Sequence, residues 1–300
     1  MVKLFVLTGL PASGKSKIGL QLAINNNGII HSSDQIRYEL FGDEGFQGDN
    51  NKVFEELNKR IKRDLGLGIN VVFDATNLVA KRRKAFLNNL GKIQCEKIAV
   101  VVVTPYQICI ERDKLRSRSV GEDVIIKMLK QFQLPMKWEG FDEIQIIDNY
   151  KENPFKFCKT AITATENYCQ ENKNHALTLD KHMEIAMHYC LSKDYPLEVL
   201  IASQYHDIGK PLCKSFYNGK NEKVESATFY GHENVSAYLF LTFLVYDFAM
   251  EIQYITALIN YHMIFYRINT EKERQKYIDR FGIEFFEDLK KVNEADLFAH

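Results

Sequence analysis

The stretch GLPASGKS, residues 9–16, places Gly9, Gly14, Lys15 and Ser16 at every fixed position of the pattern G-x-x-x-x-G-K-[ST]. It follows an apolar run, Lys3–Thr8, and opens a run with helical spacing. In that context the backbone of Gly9, Pro11, Ala12, Ser13 and Gly14 is expected to wrap phosphate oxygens, helped by the positive end of the following helix dipole. Lys15 is expected to reach the β- and γ-phosphates, and the Ser16 hydroxyl to ligate Mg²⁺. The chemistry implied is binding of a nucleoside triphosphate such as ATP, with the acceptor left open.

Candidates for handling the acceptor follow in order. Asp34, in HSSDQIR, is placed to take a proton from an attacking hydroxyl, and Arg37, one turn on, to grip an anion. Asp34 serves equally well as the cap of a helix beginning at Gln35. Asp74, in FDATN, suits magnesium-bound water, the acceptor loop or plain turn chemistry. Arg112 and Arg116 lie four apart, on one helical face, so they read as a lid over the triphosphate or as a solvated helix. The basic run Lys81–Lys84 is open between surface and nucleic-acid contact.

The second half holds seven of the eight histidines. His182, His206 with Asp207, His232, His262 and Asp296 each fall on a separate expected helix, and several helices each delivering one ligand inward is how bundle metal centres are assembled. These N/O ligands suit Mn, Ni, Co, Fe, Zn or Mg, at one or two sites. A hydrogen-bonded core histidine is the alternative for any single member. His175, His188 and His300 fall outside the series, and Gly209 is expected to end the His206 helix in left-handed geometry.

GLPASGKS, SSDQIR, DATN with Arg82 and Arg83, and RDKLRSR occur in an order and spacing that resemble phage-type polynucleotide 5′-kinases over residues 1 to about 148. The resemblance implies Asp34 as general base and Arg37 as reader of the acceptor phosphate. Asp74, Asn77 and Arg83 complete the acceptor site, and Arg116, with Arg112, is implied on the triphosphate. Ala12 departs from the glycine usual in that family. HDIGKP, FYGHE and NEADLFAH resemble the HD superfamily of metal-dependent phosphohydrolases, especially the domain attached to CCA-adding tRNA nucleotidyltransferases. That likeness implies one metal on His182, His206, Asp207 and Asp296. His232 and His262 complete a second site or bind substrate phosphate, and Lys210 contacts phosphate.

The elements that must position these residues divide the chain. Strands at Lys3–Thr8, Gly28–Ser32, Asn70–Phe73, Ile98–Thr104 and Ile144–Ile147 alternate with helices, which calls for a parallel sheet with helices on both faces. From residue 175 the long segments Leu179–Leu191, Pro196–Tyr205, His232–Ala249, Glu251–Phe265 and Phe285–Ala299 have helical period, implying an all-α domain in which only Lys220–Thr228 is open to a turn or short strand. The expected organisation is an α/β P-loop kinase domain at 1–149, a linker or connecting helix at 150–174 and the HD-type helical domain at 175–300.

Lys+Arg and Asp+Glu balance at 39 each, so the net charge does not favour nucleic acid, yet residues 1–150 carry 22 against 18 (+4) and the remainder 17 against 21 (−4). Six scattered cysteines without a framework spacing, and no apolar run near the ~20 residues of a membrane helix, point to a soluble, cytoplasmic protein. The expectation is a bifunctional end-healing enzyme. One half phosphorylates 5′-OH ends with ATP and the other hydrolyses 3′-phosphate or 2′,3′-cyclic phosphate ends, of RNA rather than DNA, with a ligase acting downstream. A nucleoside or small-molecule kinase joined to a nucleotide phosphohydrolase is the rival, and a nucleotide-gated regulatory protein is the third class.

Overall fold

The computed structural model describes residues 1–46, 48–173, 175–243 and 251–300. The chain forms two compact units, one of residues 1–125 and 135–150, the other of residues 126–134 and 151–300.

The first unit alternates strand and helix: β1 (Lys3–Thr8), α1 (Lys15–Asn25), β2 (Ile29–Ser32), α2 (Ser33–Phe41), α3 (Asn50–Gly66), β3 (Val71–Asp74), α4 (Ala80–Asn89), β4 (Glu96–Val103), α5 (Tyr106–Lys114) and β5 (Glu143–Asp148), with the unit boundary inside α6 (Glu122–Leu129). The sheet order is β2-β3-β1-β4-β5, every pair parallel. Successive strand residues face opposite sides, so both faces must be covered. Leu4, Val6, Val71 and Phe73 pack with Ile36 of α2, Val53, Leu57 and Ile61 of α3, and Phe86 of α4. On the other face Phe5, Leu7, Val72, Val100 and Val102 pack with Ala23 of α1. The strand ends that lead into loops 9–14, 32–34, 74–77, 104 and 149 therefore share one edge, where ligands bind in open parallel sheets.

The second unit contains α7 (Pro154–Thr163), α8 (Leu179–Ser192), α9 (Leu197–Tyr205), the single turn α10 (Lys210–Cys213), β6 (Ser215–Tyr217), β7 (Lys223–Thr228), α11 (His232–Phe243), α12 (Ile252–Tyr261), α13 (Glu271–Phe281) and α14 (Ile283–Phe298). The expected end of the His232 helix, at 244–249, lies outside the described residues. The unit is not all-α: the stretch left open to a short strand, Lys220–Thr228, holds β7, which pairs with the unexpected β6 in an antiparallel hairpin. Asn218 Oδ1 accepts from the backbone of Lys220 and Glu222, Asn221 takes φ +63°, and Thr228 Oγ1 donates to the carbonyls of Ser215 and Tyr217. The helix expected through Phe265 gives way to a tighter 3₁₀ turn at His262–Arg267.

Two boundaries also differ from expectation. Residues 151–173 belong to the second unit, where Phe157 of α7 is buried and Asn172 Nδ2 donates to Ala227 O. Residues 126–134 join that unit as well. Phe132 is fully buried against the edge of Tyr238, while Asn234 and Asn260 satisfy the main chain at Lys130, Phe132 and Leu134. Helix α13 has only Phe281 buried, so hydrophobic period could not announce it. Its readable signal was the capping box of Thr270 and Glu273. Among the described residues no helix is long and apolar enough to cross a membrane.

Arg83 corrects the sequence reading most sharply. Expected at the acceptor, it is 1% exposed and forms a fork with Glu139, Nε to Oε2 at 2.8 Å and Nη2 to Oε1 at 2.7 Å. Its remaining Nη1 donates to Asn77 O at 2.8 Å. Removing one partner strands a buried charge, so Glu139→Ala is expected to cost about 3–5 kcal/mol. Denaturant unfolding followed by the single tryptophan, Trp138 beside it, measures this; a loss near the ~1 kcal/mol of a surface pair contradicts it.

Candidate functional site

The phosphate loop is shaped by contacts that exclude side chains. A Cβ on Gly9 would lie 2.7 Å from Val102 O, and one on Gly14, at φ +89°, would strike the Asn149 side chain. Ala12 holds φ +57°, a left-handed conformation that accounts for the usual glycine there. Asn149 Nδ2 and Thr104 Oγ1 both donate to Ser13 O, at 2.7 and 3.0 Å, fastening the loop to the ends of β4 and β5. Neither residue was found from sequence, because no motif spacing links 104 or 149 to the loop. Among the described residues Ser13 Oγ, which is buried, has no hydrogen-bond partner, as expected of a donor kept for a ligand.

Lys15 is buried and donates to Leu10 O at 2.6 Å. Burial lowers the pKa of its ammonium, against the pull of Asp74 and Asp34. Burial likewise raises Asp74, offset by a hydrogen bond from Ser16 and the charge of Lys15. Ser16 and Asp74 thus meet at the mouth of the loop, a hydroxyl and a carboxylate suited to a hard cation.

The capping alternative for Asp34 is excluded. Ser32 caps α2, its Oγ accepting from Asp34 N at 3.3 Å, and the helix starts at Ser33. Asp34 is half-exposed, and its Oδ1 accepts from Arg37 Nη1 at 2.8 Å. Arg37 is buried, with Nη2 on Asn50 Oδ1 at 3.0 Å and, among the described residues, no partner for Nε.

Two expectations at this edge are revised. Asn77 Nδ2 donates to Leu7 O at 2.8 Å, so its amide pins the end of β1 rather than standing free for an acceptor. Arg112 Nη2 donates to Asn149 O at 2.9 Å, supporting the loop from behind. Arg116 is exposed, 3.5 Å from Asp113 Oδ1, and its charge acts on Lys15.

In the second unit the structure brings six sequence-selected residues together. His182, His206, Asp207 and Asp296 form one buried group with ligand atoms within 4.8 Å of one another, and Asp207, His232 and His262 form another. Each imidazole offers Nδ1 to a main-chain carbonyl: His182 to Ala299 O at 3.1 Å, His206 to Ser203 O at 2.7 Å, His232 to Phe229 O at 2.8 Å and His262 to Ile259 O at 2.7 Å. A carbonyl only accepts, so each Nδ1 carries a proton and each Nε2 faces inward, bare in the neutral ring and protonated in the charged one. Nε2 atoms then approach in pairs, His182 to His206 at 3.3 Å and His232 to His262 at 3.2 Å. Lone pairs brought that close require a cation between them, a proton or a metal, and ring N–H groups anchored from behind are the usual support of metal-binding histidines.

Asp207 joins the two pairs. Its Oδ2 lies 3.4 Å from His182 Nε2 and 3.3 Å from His206 Nε2, and its Oδ1 lies 3.0 Å from His232 Nε2 and 3.9 Å from His262 Nε2. Burial disfavours every charge here, yet the imidazoles hold Asp207 and Asp296 well below the usual carboxylate range, and the carboxylates push His206 up to about 10. His262 is pushed down to about 3 by burial, then by His206 and His232.

Lys210 departs from its expected phosphate contact. It is 3% exposed, and three partners surround its ammonium: Asp207 Oδ2 at 2.6 Å, Gln170 Oε1 at 2.8 Å and His175 Nε2 at 3.3 Å. An ammonium has three donors, so all are engaged and Lys210 positions Asp207. Gly209 is also revised: its φ is −83°, and glycine is needed because a Cβ would lie 2.6 Å from Ser236 N.

His175 and His300, set aside from sequence, border the cluster. Their rings are 4.5 Å apart, and His300 Nε2 is 3.4 Å from Asp296 Oδ1. His188 is exposed on α8, away from the group. Tyr266 was missed, having no periodic signal; its hydroxyl, pushed up to about 12 chiefly by burial, hydrogen-bonds Asp296.

Residues 4–135 match the family model described as an AAA domain. That match takes in the phosphate loop and most of the parallel sheet of the first unit. Among solved structures, the Pnkp1/Rnl/Hen1 complex is 21% identical over 37% of this chain, with a TM-score of 0.34, and the match spans only 38% of that chain. A putative kinase from Chloroflexus aurantiacus j-10-fl is 17% identical over 49% of this chain and 88% of its own, with a TM-score of 0.41. A gluconokinase from Sinorhizobium meliloti 1021 is 16% identical over 50% of this chain and 84% of its own, with a TM-score of 0.37.

The two faces of Asp207 generate a stoichiometric prediction. Protein loaded with Mn²⁺ or Ni²⁺ is expected to hold two ions per chain by elemental analysis, His262→Ala one, and Asp207→Ala none, because only Asp207 serves both groups. Equal metal content in the His262 and Asp207 variants contradicts the shared carboxylate.

Proposed function

We propose that the chain is a bifunctional nucleic-acid end-healing enzyme acting on RNA. Its first unit transfers a phosphoryl group from ATP to a 5′-hydroxyl, and its second, an HD-type phosphohydrolase, removes a 3′-phosphate or opens and removes a 2′,3′-cyclic phosphate. The observation that carries the kinase half is the Asp34–Arg37 pair beside the loop that holds Lys15. The carboxylate is half-exposed and freed from helix capping, as a base must be to reach a hydroxyl. The convergent Nε2 atoms of the four histidines carry the hydrolase half.

When bound, Mg²⁺-ATP supplies the phosphoryl group and a cation that neutralises its oxygens. Lys15 would leave the Leu10 carbonyl for the phosphates, Ser16 and Asp74 would hold the cation side, and Arg116 would close from the exposed edge. Asp34 would take the proton from the attacking hydroxyl while Arg37 holds the acceptor's phosphate. A divalent cation held in the second unit would supply acidification of water and polarisation of a phosphoryl oxygen. His182, His206, Asp207 and Asp296 would hold one ion and His232 and His262, with Asp207, a second. Lys210 would keep Asp207 ionised and oriented. These reaction products, a 5′-phosphate and a 3′-hydroxyl, are the substrates a ligase needs.

Incubation with ATP and either a 5′-OH oligoribonucleotide or free nucleosides separates this reading from the nucleotide-metabolism one; preference for nucleosides overturns it. Lys15→Ala and Asp34→Asn are each expected to lower 5′-phosphorylation at least ~10²-fold, Asp34→Asn with ATP binding retained in equilibrium titration. The same two variants should leave hydrolysis of a nucleoside 2′,3′-cyclic phosphate intact, whereas chelation or Asp207→Ala should stop it. Loss of both activities in either well-folded variant contradicts two separate sites.

A further inference from the structure

A small polar pocket in the second unit is lined in part by the residues next to His232 and His262 in sequence. It is lined by Arg267, Arg280, Glu233, Asn260, Tyr261 and Tyr277, among others, and has a volume of about 90 Å³. That is well below the ~300–1,000 Å³ of pockets enclosing whole small molecules, so it admits a phosphoryl-sized group but no whole nucleotide. Glu233 and Met263, both at the pocket, follow His232 and His262 directly in sequence. Glu233 Oε2 is 3.8 Å from His232 Nδ1, so the pocket lies behind the His232 ring, on the side opposite its inward Nε2.

Arg280, in the last turn of α13, lies over the rings of Tyr261 and Phe281, 5.5 and 5.0 Å from their centroids. Its Nη2 donates to the Tyr261 hydroxyl at 3.4 Å, but its Nε–H is buried with no hydrogen-bond partner. Among the described residues no carboxylate lies within 4.0 Å of it. A buried, unsatisfied N–H on a fixed cation costs stability, and such groups persist where a ligand completes them. Arg267 adds a second guanidinium, whose carboxylate partner Glu233 stands off at 3.8 Å. Two guanidinium groups against one carboxylate leave a net positive charge, and the Nε/Nη edge of an arginine matches two oxygens of one phosphate.

We propose that this pocket is a phosphate subsite, in which Arg280 and Arg267 hold a substrate phosphoryl group other than the one being hydrolysed. Its occupant is the phosphate on the 5′ side of the terminal nucleotide, so the unit distinguishes an end within a polynucleotide from a bare nucleoside phosphate. The inference rests on the reading of the second unit as a nucleotide phosphohydrolase.

The test compares hydrolysis of a nucleoside 2′,3′-cyclic phosphate with and without a 5′-phosphate. The full-length enzyme is expected to favour the 5′-phosphorylated substrate by about tenfold or more in kcat/KM, through KM. Arg280→Gln should abolish that preference, and Arg267→Gln, at an exposed side chain that folding does not need, should reduce it. No preference in the parent enzyme, or the same preference in both variants, overturns the subsite. A second measurement needs no turnover: the ¹⁵N–¹H resonance of Arg280 Nε, identified by its absence in Arg280→Gln, should shift saturably on adding inorganic phosphate. An unresponsive resonance overturns the subsite even if hydrolysis is found. A responsive one without hydrolysis keeps the subsite and sinks the phosphohydrolase reading instead.

Discussion

Four buried imidazoles in the second unit each give Nδ1–H to a main-chain carbonyl, and much of that unit follows from this. Three of those carbonyls lie three residues before the histidine, on the last turn of α9 for His206, at the approach to α11 for His232 and on the last turn of α12 for His262. The backbone that ends or begins a helix therefore also sets the tautomer. With Nδ1–H fixed behind, each Nε2 must point inward, and nitrogens brought that close need positive charge between them, a proton or a metal. Asp207 and Asp296 bring the negative charge that makes a cation there stable, and Lys210 compensates Asp207 from the side.

The first unit solves a related problem with backbone instead of side chains. A loop that offers N–H groups to an anion has to be held open and bare. Gly9 and Gly14 keep it bare, because the space a Cβ would take belongs to Val102 O and Asn149. Thr104 and Asn149 hold it open by engaging Ser13 O, and Arg112 in turn engages Asn149 O. An arginine that reads as a phosphate ligand in sequence is thus part of the support, one shell further out. Arg83 has gone further still, into an ion pair with Glu139 from which water is excluded. Both cases share a physical reason: an arginine side chain is long enough to satisfy its donors on either side of a strand end, and sequence does not say which side offers the better acceptors.

The sequence by itself determined the phosphate loop, the five strands to within about two residues, and the six histidine and aspartate ligand candidates. These are local or periodic properties, set by motif spacing, by apolar runs too short for helices and by the step between one helix and the next. It also contained the Thr270–Glu273 capping box that starts α13, unread because the helix buries so little. Tertiary structure alone decided which partner each long polar side chain took. Arg83 and Glu139 are 56 residues apart, Lys210 and Gln170 are 40 apart, and Asn260 and Leu134 are 126 apart. Such pairings assign residues 126–134 and 151–173 to the second unit, bring His175 and His300 to the edge of the cluster, and leave Arg280 Nε without an acceptor. No local pattern encodes them, because a buried donor accepts any partner that the packing of distant segments happens to deliver.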